Sequence, residues 1–227
     1  MMSTAKEMRD RAWNSLKGKY WIAVAASFVV GILTSVGANV SNLDSFLAEM
    51  VNTLNNGDWS ETRGYLLVLG VGLLFTAGGF LLATLVNGPA TVGGCSYFIK
   101  NTNGAPEFIE IFSGFRTNYK RNVITMLLVN IKLYLWMLLF IVPGIIKSFE
   151  YAVIPYILAD NPDISTREAF QKAKAMMKGK KWDLFELSIS FIGWILLSIL
   201  TLGIGIIFLT PYIEAATAEF YMEAKNK

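Results

Sequence analysis

Histidine is absent from this chain of 227 residues, and cysteine occurs once, at Cys95. Without histidine there can be no Ser-His-Asp triad, no histidine-ligated metal and no imidazole proton shuttle. A single cysteine forms no internal disulfide and supplies only one soft metal ligand. We therefore predict that the protein has no metal site and no cofactor. No motif in the sequence identifies a catalytic residue.

Charged residues are also scarce, at 16% of the chain against roughly a quarter in an ordinary soluble domain. Hydrophobic residues make up 54%, the mean hydropathy is +0.46, and no charge occurs between Tyr65 and Ile99. Because about 20 apolar residues span a bilayer, the composition predicts an integral membrane protein. The net charge of +3 is modest, and the basic residues flank apolar segments. We therefore expect membrane lipids and other membrane proteins as partners, and no nucleic acid.

The apolar residues group into six segments, which predict an all-α, polytopic transmembrane bundle of about six spans. The predicted spans are residues 20–40, 65–86, 122–142, 145–159, 184–201 and 204–222. An Asn-Gly-Pro sequence at 87–89 is expected to end or kink the second span and to leave residues 90–99 at the membrane interface. A Pro-Gly pair at 143–144 is expected to separate the third and fourth spans, and residues 202–205 offer a turn between the last two.

Basic residues indicate the orientation of these spans. They cluster before residue 20, at 100–121, at 167–181 and at the C-terminus, whereas the connection 41–64 holds one arginine among four acidic residues. The positive-inside rule therefore predicts that both termini are cytoplasmic. The basic start could also belong to a signal peptide, but the length of the apolar run favours an uncleaved helix. A four-span arrangement, with each glycine-broken pair as one long or re-entrant element, is the alternative.

Residues 4–21 and 165–182 resemble each other at an offset of 161 residues. In both segments a hydroxyl residue precedes a glutamate by three positions, as in a capping box. In both, a basic stretch that contains a glycine then leads to a tryptophan, a residue suited to a membrane boundary. The corresponding residues are Thr4 and Glu7 with Ser165 and Glu168, and Trp21 with Trp182. We therefore predict short amphipathic cytoplasmic helices before the first and fifth spans. They are either independent interfacial helices in a single integral membrane domain, 1–227, or parts of a duplicated unit, 4–100 and 165–227 with 101–164 between.

Charged residues inside the predicted spans are the candidate functional residues, because an unpaired charge at the bilayer centre costs about 3 kcal/mol or more. They are Lys132, Lys147, Glu150 and Glu214. Lys132 and Glu214 lie at similar predicted depths, so we expect them to approach each other directly or through water. Lys147 and Glu150 are three residues apart on one helix face and can form an ion pair. Structural ion pairs or snorkelling lysines are the simpler interpretation, and a transport or ligand role is the alternative.

Small residues occupy every fourth position of the first predicted span, at Ala23, Ser27, Gly31 and Ser35. A ridge of this kind allows two helices to approach closely. We therefore predict that the ridge serves helix packing.

The sequence PGIIKSFEYAVIPYILADNPDIS occupies residues 143–165, and MMKGKKWDLFELSISFIGWILLSILTLGIG and LTPYIEAATAEFY follow it. Together with KGKYW near the N-terminus and FSGF at 112–115, it resembles a bacterial family of multi-pass membrane proteins catalogued as domain of unknown function 975. The resemblance implies a helical protein of the bacterial cell (inner) membrane. It implies no catalytic residues, because the family has no established activity.

The leading functional hypothesis is a six-helix membrane protein without catalysis, which acts as a structural or accessory module for lipids or other membrane proteins. The alternative is a small transporter or channel with a polar path through Lys132, Glu150 and Glu214. A membrane enzyme is a third hypothesis, because carboxylates alone can support acid–base chemistry.

Overall fold

The computed structural model describes residues 2–35, 62–104, 106–201 and 203–226, with the backbone alone for residues 62–69 and 71–82. Within these ranges the regular structure is entirely helical. The α-helices are α1 (Ala5–Leu16), α2 (Tyr20–Ser35), α3 (Thr62–Asn103), α4 (Ser113–Arg116), α5 (Tyr119–Leu139), α6 (Ile141–Tyr151), α7 (Ile154–Asp160), α8 (Thr166–Met176), α9 (Lys181–Ile189), α10 (Ile192–Leu200) and α11 (Ile204–Asn226). A 3-10 helix, Phe108–Phe112, precedes α4.

Three glycines in the left-handed region separate consecutive helices. Gly18 has φ +78°, Gly179 has φ +79° and Gly203 has φ +85°, and glycine adopts these values without the steric penalty of a Cβ atom. Gly18 lies between α1 and α2, which are bent by 101° relative to each other. Gly203 forms the predicted turn between α10 and α11. The end of the first predicted span, 36–40, lies outside the described residues.

Helix α3 continues through the position where we predicted a break. It runs without interruption from Thr62 to Asn103 and contains Pro89, so the prediction that the helix ends at 87–89 is wrong. Proline has no N–H for the carbonyl four residues earlier, which is that of Leu85. The Tyr119 hydroxyl donates to this carbonyl oxygen at 3.0 Å and replaces the missing hydrogen bond.

Residues 90–99 continue α3 and lie mostly in the protein core, while their position at the membrane interface stays a prediction. Ala90, Val92, Tyr97 and Phe98 are each at most 3% exposed. Close backbone contact explains this burial, since a Cβ atom added at Gly93 would lie 1.9 Å from the Ile111 carbonyl oxygen. The segment between α3 and α5 therefore packs directly on α3.

The turn between α5 and α6 is a single residue, Phe140, with extended φ of −156°. The predicted break at 143–144 is wrong, because Pro143 lies in the first turn of α6, where no N–H is needed for the helix. A Cβ atom at Gly144 would lie 3.1 Å from Met137 Cα, so glycine allows α5 and α6 to lie close together. The two helices form a tight hairpin.

Buried and exposed apolar residues divide the molecule into two parts. A packed core joins α1, α7, α8, the C-terminal part of α3 and the C-terminal half of α11; its largest fully buried side chains include Met8, Leu16, Tyr97, Ile157, Met177, Phe220 and Tyr221. Apolar side chains at the α5–α6 turn, along α10 and at the start of α11 are instead exposed, up to 87% for Leu138 and 81% for Leu200. Large exposed apolar surface of this kind marks contact with a membrane or a partner.

The two similar segments bury equivalent residues. Met8, Ala12 and Leu16 of α1 are at most 1% exposed, and the positions 161 residues later, Ala169, Ala173 and Met177, are fully buried. Both helices also begin with a capping box. Both segments therefore pack on the helical bundle through the same face, while the duplication of a larger unit stays a prediction.

The chain ends lie together on one side of the bundle. The Ser3 N–H donates to Glu223 Oε1 at 2.6 Å, and the Arg11 guanidinium forms ion pairs with Glu223 at 2.5 Å and Glu219 at 3.5 Å. Since α1 packs against the end of α11, the first and last described helices form one layer.

Three helical stretches of the described residues are long and apolar enough to cross a membrane. They are Tyr119–Leu139, Ile141–Asp160 and Lys181–Leu200, and the bent pair α1–α2 is a fourth if it counts as one span. Of the six predicted spans, the third, fourth and fifth correspond to these three.

Candidate functional site

A cavity of about 290 Å³ lies where α2, α3 and α11 meet. Most side chains in its wall are polar, although the surrounding sequence is apolar. The polar residues are Ser27, Thr34, Asn87, Thr91, Thr210 and Glu214, and Cys95, Val30 and Phe98 also line the wall. The cavity nevertheless has a largely apolar surface into which a few polar groups of three helices are placed.

Helical periodicity explains why these distant residues share one wall. On α2 the lining positions are 27, 30, 31 and 34; on α3 they are 87, 91, 94, 95 and 98; on α11 they are 210 and 214. Steps of three or four residues keep side chains on one face of an α-helix. Each of the three helices therefore directs one such stripe toward the cavity.

Several of the polar side chains are already engaged within the wall. The Asn87 amide donates to the Thr34 carbonyl oxygen at 3.3 Å and so connects α3 with α2. The hydroxyls of Thr91 and Thr210 each donate to the carbonyl four residues earlier, at 2.9 Å and 2.8 Å. These bonds satisfy the donors locally and leave acceptor capacity on the hydroxyl oxygens.

Ser27 and Glu214 retain the greatest capacity to bind a ligand. Ser27 is 7% exposed, and its hydroxyl has no hydrogen-bond partner in the described part of the chain. Glu214 accepts a hydrogen bond from the Tyr156 hydroxyl at 3.1 Å. No lysine or arginine nitrogen of the described residues lies within 4.0 Å of the Glu214 carboxylate. An ionised carboxylate has about four lone-pair positions, so most of its acceptor capacity is available.

A chain of aromatic and charged residues fixes the position of Tyr156. Its ring stacks on Tyr221 with the centroids 5.6 Å apart, and the Tyr221 hydroxyl donates to Asp160 Oδ2 at 2.8 Å. The Lys225 ammonium lies 2.7 Å from the same oxygen. These contacts hold α7 against α11 and thereby direct the Tyr156 hydroxyl at Glu214.

Lys132 lies away from this cavity. Its ammonium lies 3.6 Å from the centroid of the Phe170 ring, a cation–π contact between α5 and α8. The direct ion pair between Lys132 and Glu214 is not formed in the structure. Helix α8, which we treated as a separate cytoplasmic element, packs on α5 and places Phe170 over Lys132. No local pattern in the sequence indicates this contact.

Lys147 and Glu150 form an ion pair, and a third residue joins them. Lys147 Nζ lies 2.8 Å from Glu150 Oε1, and Lys181 Nζ lies 2.6 Å from Glu150 Oε2. Glu150 is 4% exposed, and its two cations neutralise a carboxylate that would otherwise be costly to bury. Lys181 lies at the start of α9, so the three charges connect α6 to α9 and have a structural role.

Trp21 and Trp182, the predicted interfacial anchors, have almost equal exposure, at 71% and 70%. Each lies in the first turn of its helix, α2 or α9. Their role as anchors at a membrane boundary stays a prediction.

Sequence reasoning missed most of the cavity. It identified Glu214, and it treated Ser27 and Gly31 as a packing ridge. Gly31 is exposed, and a Cβ atom added there would meet nothing within 4 Å, so close helix contact does not explain this glycine. The available signal was the four-residue spacing between Asn87 and Thr91 and between Thr210 and Glu214.

The fold and its cavity define an all-helical protein with several helices of membrane-spanning length and composition. Residues 141–227 match the sequence profile of a family described as protein of unknown function (DUF975). This match covers the C-terminal part of the chain and agrees with the resemblance seen in the sequence. No curated protein and no solved structure matches the chain. The matched region begins at α6 and includes Glu214, whereas α2 and α3 lie outside it.

Proposed function

We propose that the chain is a multi-span protein of the bacterial inner membrane with six membrane-embedded helical segments and both termini in the cytoplasm. Pairing of helices into three hairpins, α2 with α3, α5 with α6, and α10 with α11, supports this arrangement. The exposed apolar residues of α10 and of the α5–α6 turn supply a surface for lipid. The proximity of Ser3 to Glu223 supports placing both termini on one side.

Among the proposed segments whose side chains the structure describes, α11 is not one of the helices of spanning composition. For α11 the reason is chemical, because it carries the carboxylates of Glu214, Glu219 and Glu223. Glu219 and Glu223 pair with Arg11 near the chain ends, and only Glu214 lies deeper along the helix. The first ten residues of α11 contain no charge, so the proposed membrane portion is this half together with Glu214.

Within that arrangement the protein acts as a non-catalytic accessory module that binds a ligand in the cavity of α2, α3 and α11. One observation carries the proposal: among the described residues, the hollow contains a carboxylate without a cation and a buried hydroxyl without a partner. Unpaired polar groups at membrane depth are costly, and such residues are typical of functional sites. Membrane lipids and other membrane proteins are the proposed partners.

The native Cys95 provides the test, because it is the only cysteine of the chain and lines the cavity. In membrane vesicles, a small uncharged thiol reagent is expected to label Cys95 in the folded protein, and Val30→Trp, which fills the hollow, is expected to slow labelling. Ala25→Trp, on the exposed side of α2, is the matched control and should leave the rate unchanged.

Two results would contradict the proposal. Labelling that occurs only after denaturation would show a closed core instead of a ligand-accessible cavity. Turnover of a lipid by the purified protein would show that the module is catalytic.

A transporter is the second candidate function, and Glu214 in the cavity is the observation that favours it. The other residues of the predicted polar path lie elsewhere: Lys132 contacts Phe170, and Glu150 pairs with Lys147 and Lys181. A transport path would therefore depend on Glu214 alone among the predicted charges. Flux of a monovalent cation into proteoliposomes that is abolished by Glu214→Gln, but kept in Lys132→Leu, would support transport over simple binding.

A further inference from the structure

A second hollow adjoins the polar cavity toward the outside of the bundle. It has a volume of about 240 Å³ and lies between α2 and the start of α11. Ser27, Gly31 and Thr210 line both hollows, so the two are neighbours that share one wall. The remaining wall of the outer hollow is apolar and consists of Phe28, Ile32, Ile206 and Ile207.

Gly31 lies at the junction between the two hollows. A Cβ atom there would meet nothing within 4 Å, and the neighbouring Phe28 and Ile32 are 51% and 50% exposed. The outer hollow is therefore a groove on the apolar exterior of the protein, and it adjoins the inner cavity at a residue without a side chain. A ligand could pass from the bilayer to Glu214 by this route without crossing an aqueous phase.

The electrostatics of the combined site distinguish among ligands. The inner cavity contains the Glu214 carboxylate, with no lysine, arginine or histidine in its lining, and the outer groove contains no charge. In its ionised form the Glu214 carboxylate attracts a cationic head and repels an anionic one. The unpartnered Ser27 hydroxyl lies in both walls, where it can bond to a polar head at the junction.

We propose that the cavity and groove bind a cationic amphiphile, with an ammonium head beside Glu214 and Ser27 and an alkyl tail in the groove of Phe28, Ile32, Ile206 and Ile207. The ligand enters laterally from the bilayer between α2 and α11. This inference rests on the proposed ligand-binding function and specifies its substrate class. The ammonium can belong to a lipid headgroup or to another amphiphile, because both present the same chemistry to Glu214.

The test measures protection of Cys95 from a small uncharged thiol reagent in phosphatidylglycerol vesicles, which contain no amine. Dodecyltrimethylammonium is expected to slow labelling by about tenfold, because its head is attracted to the ionised Glu214 by its charge alone, whereas dodecyl sulfate should not slow it. Tetramethylammonium, which is the head without a tail, should protect far less. Protection by added phosphatidylethanolamine identifies a lipid as a source of the head, and protection by the free amphiphile alone identifies a non-lipid source; both results support the site.

Variants locate the two parts of the ligand. Glu214→Gln, which keeps the shape of the side chain, should remove the protection by dodecyltrimethylammonium, and the exposed Glu186→Gln should keep it. Gly31→Leu should obstruct the groove and weaken protection, and Ala25→Leu, which adds the same bulk on the exposed side of α2, should have no effect.

Equal protection by dodecyl sulfate or by tetramethylammonium would overturn the inference, as would unchanged protection in Glu214→Gln. In each of these cases Cys95 still reacts in the folded protein, so the proposed cavity function stands. Failure of Cys95 to react without any competitor would instead overturn the proposed function itself.

Discussion

A hydroxyl and a carboxylate hold the first turn of α8. The Ser165 hydroxyl accepts a hydrogen bond from the Glu168 N–H at 3.2 Å, and the Ser165 N–H donates to Glu168 Oε2 at 3.0 Å. Two N–H groups that the helix itself cannot satisfy are thereby bonded. At the scale of single residues, this reciprocal pair makes two measurable contributions to stability.

Replacement of Ser165 by alanine is expected to lower the free energy of unfolding by about 1 kcal/mol, because one N–H of the first turn loses its acceptor. Denaturant titration in detergent micelles measures this change. Gln171→Ala on the exposed side of α8 is the control and should leave stability within about 0.5 kcal/mol. An unchanged free energy in Ser165→Ala would show that water replaces the cap at no cost.

The same pair predicts a pH dependence. Hydrogen bonds from the Ser165 N–H and hydroxyl lower the pKa of Glu168 below its ordinary value of 4.5. A carboxylate with a lowered folded-state pKa adds stability that is complete above the unfolded value and is lost as the pH falls through the folded one. Wild-type protein should therefore be more stable than Glu168→Gln at pH 7, and the difference should shrink below pH 4.5. If the stability difference between wild type and Glu168→Gln stays constant down to about pH 3, protonation of Glu168 does not explain it.

At the scale of helices, close backbone contact decides how α3 meets the segment before α5. A Cβ atom at Gly93 would lie 1.9 Å from the Ile111 carbonyl oxygen, and one at Gly114 would lie 2.0 Å from that of Pro89. Glycine at both positions allows the two backbones to touch. The Tyr119 hydroxyl then reaches the Leu85 carbonyl and supports the helix at its proline.

Gly93→Ala is expected to destabilise the protein by about 1–3 kcal/mol, because the backbone of Ile111 has to move away. Gly193→Ala, in α10, is the matched control: a Cβ atom there meets nothing within 4 Å, and alanine is the better helix former. The control should keep or raise the melting temperature. Equal melting temperatures of Gly93→Ala and wild type would show that this contact is looser than the structure indicates.

The sequence predicts helices and their caps better than it predicts their contacts. Local signals such as the hydroxyl–glutamate pattern at 165–168 and the glycines at 18, 179 and 203 depend on neighbouring residues, and the structure has them where the pattern indicates. The helix does not end at 87–89 as predicted. The hydrogen bond that compensates for the missing N–H of Pro89 comes from Tyr119, 30 positions later, and local sequence does not reveal it. Likewise, only the packing of α2, α3 and α11 shows that Asn87 and Thr210 share a cavity with Glu214.

At the scale of the whole molecule, the chain ends and the hairpin turns lie at opposite ends of the helices. The Phe140 turn follows α5 and the Gly203 turn follows α10, and the Arg11–Glu223 contact joins α1 to the end of α11. With both termini in the cytoplasm, these turns should face the other side of the membrane. The proposed orientation therefore assigns each of them to one compartment.

Single cysteines in a Cys95→Ser background test this orientation. A cysteine at Asp58 or Thr201 is expected to react with a membrane-impermeant thiol reagent added to intact cells, and one at Lys178 only after the cells are made permeable. Thr201 is chosen for this purpose in place of Gly203, because a cysteine would be strained at the positive φ of that glycine. Reaction of Lys178 in intact cells would reverse the orientation, and reaction of all three only after permeabilisation would indicate re-entrant hairpins.

The hairpin of α5 and α6 has a consequence for biogenesis. Its turn is one residue long, and Phe140 has both backbone groups bonded, with the N–H donating to Trp136 and the carbonyl accepting from Gly144. No charged side chain occurs from Leu133 to Ile146. Such a hairpin has no hydrophilic loop to translocate. In the proposed membrane arrangement, α5 and α6 can therefore insert into lipid together, as a folded pair, from the side on which they are synthesised.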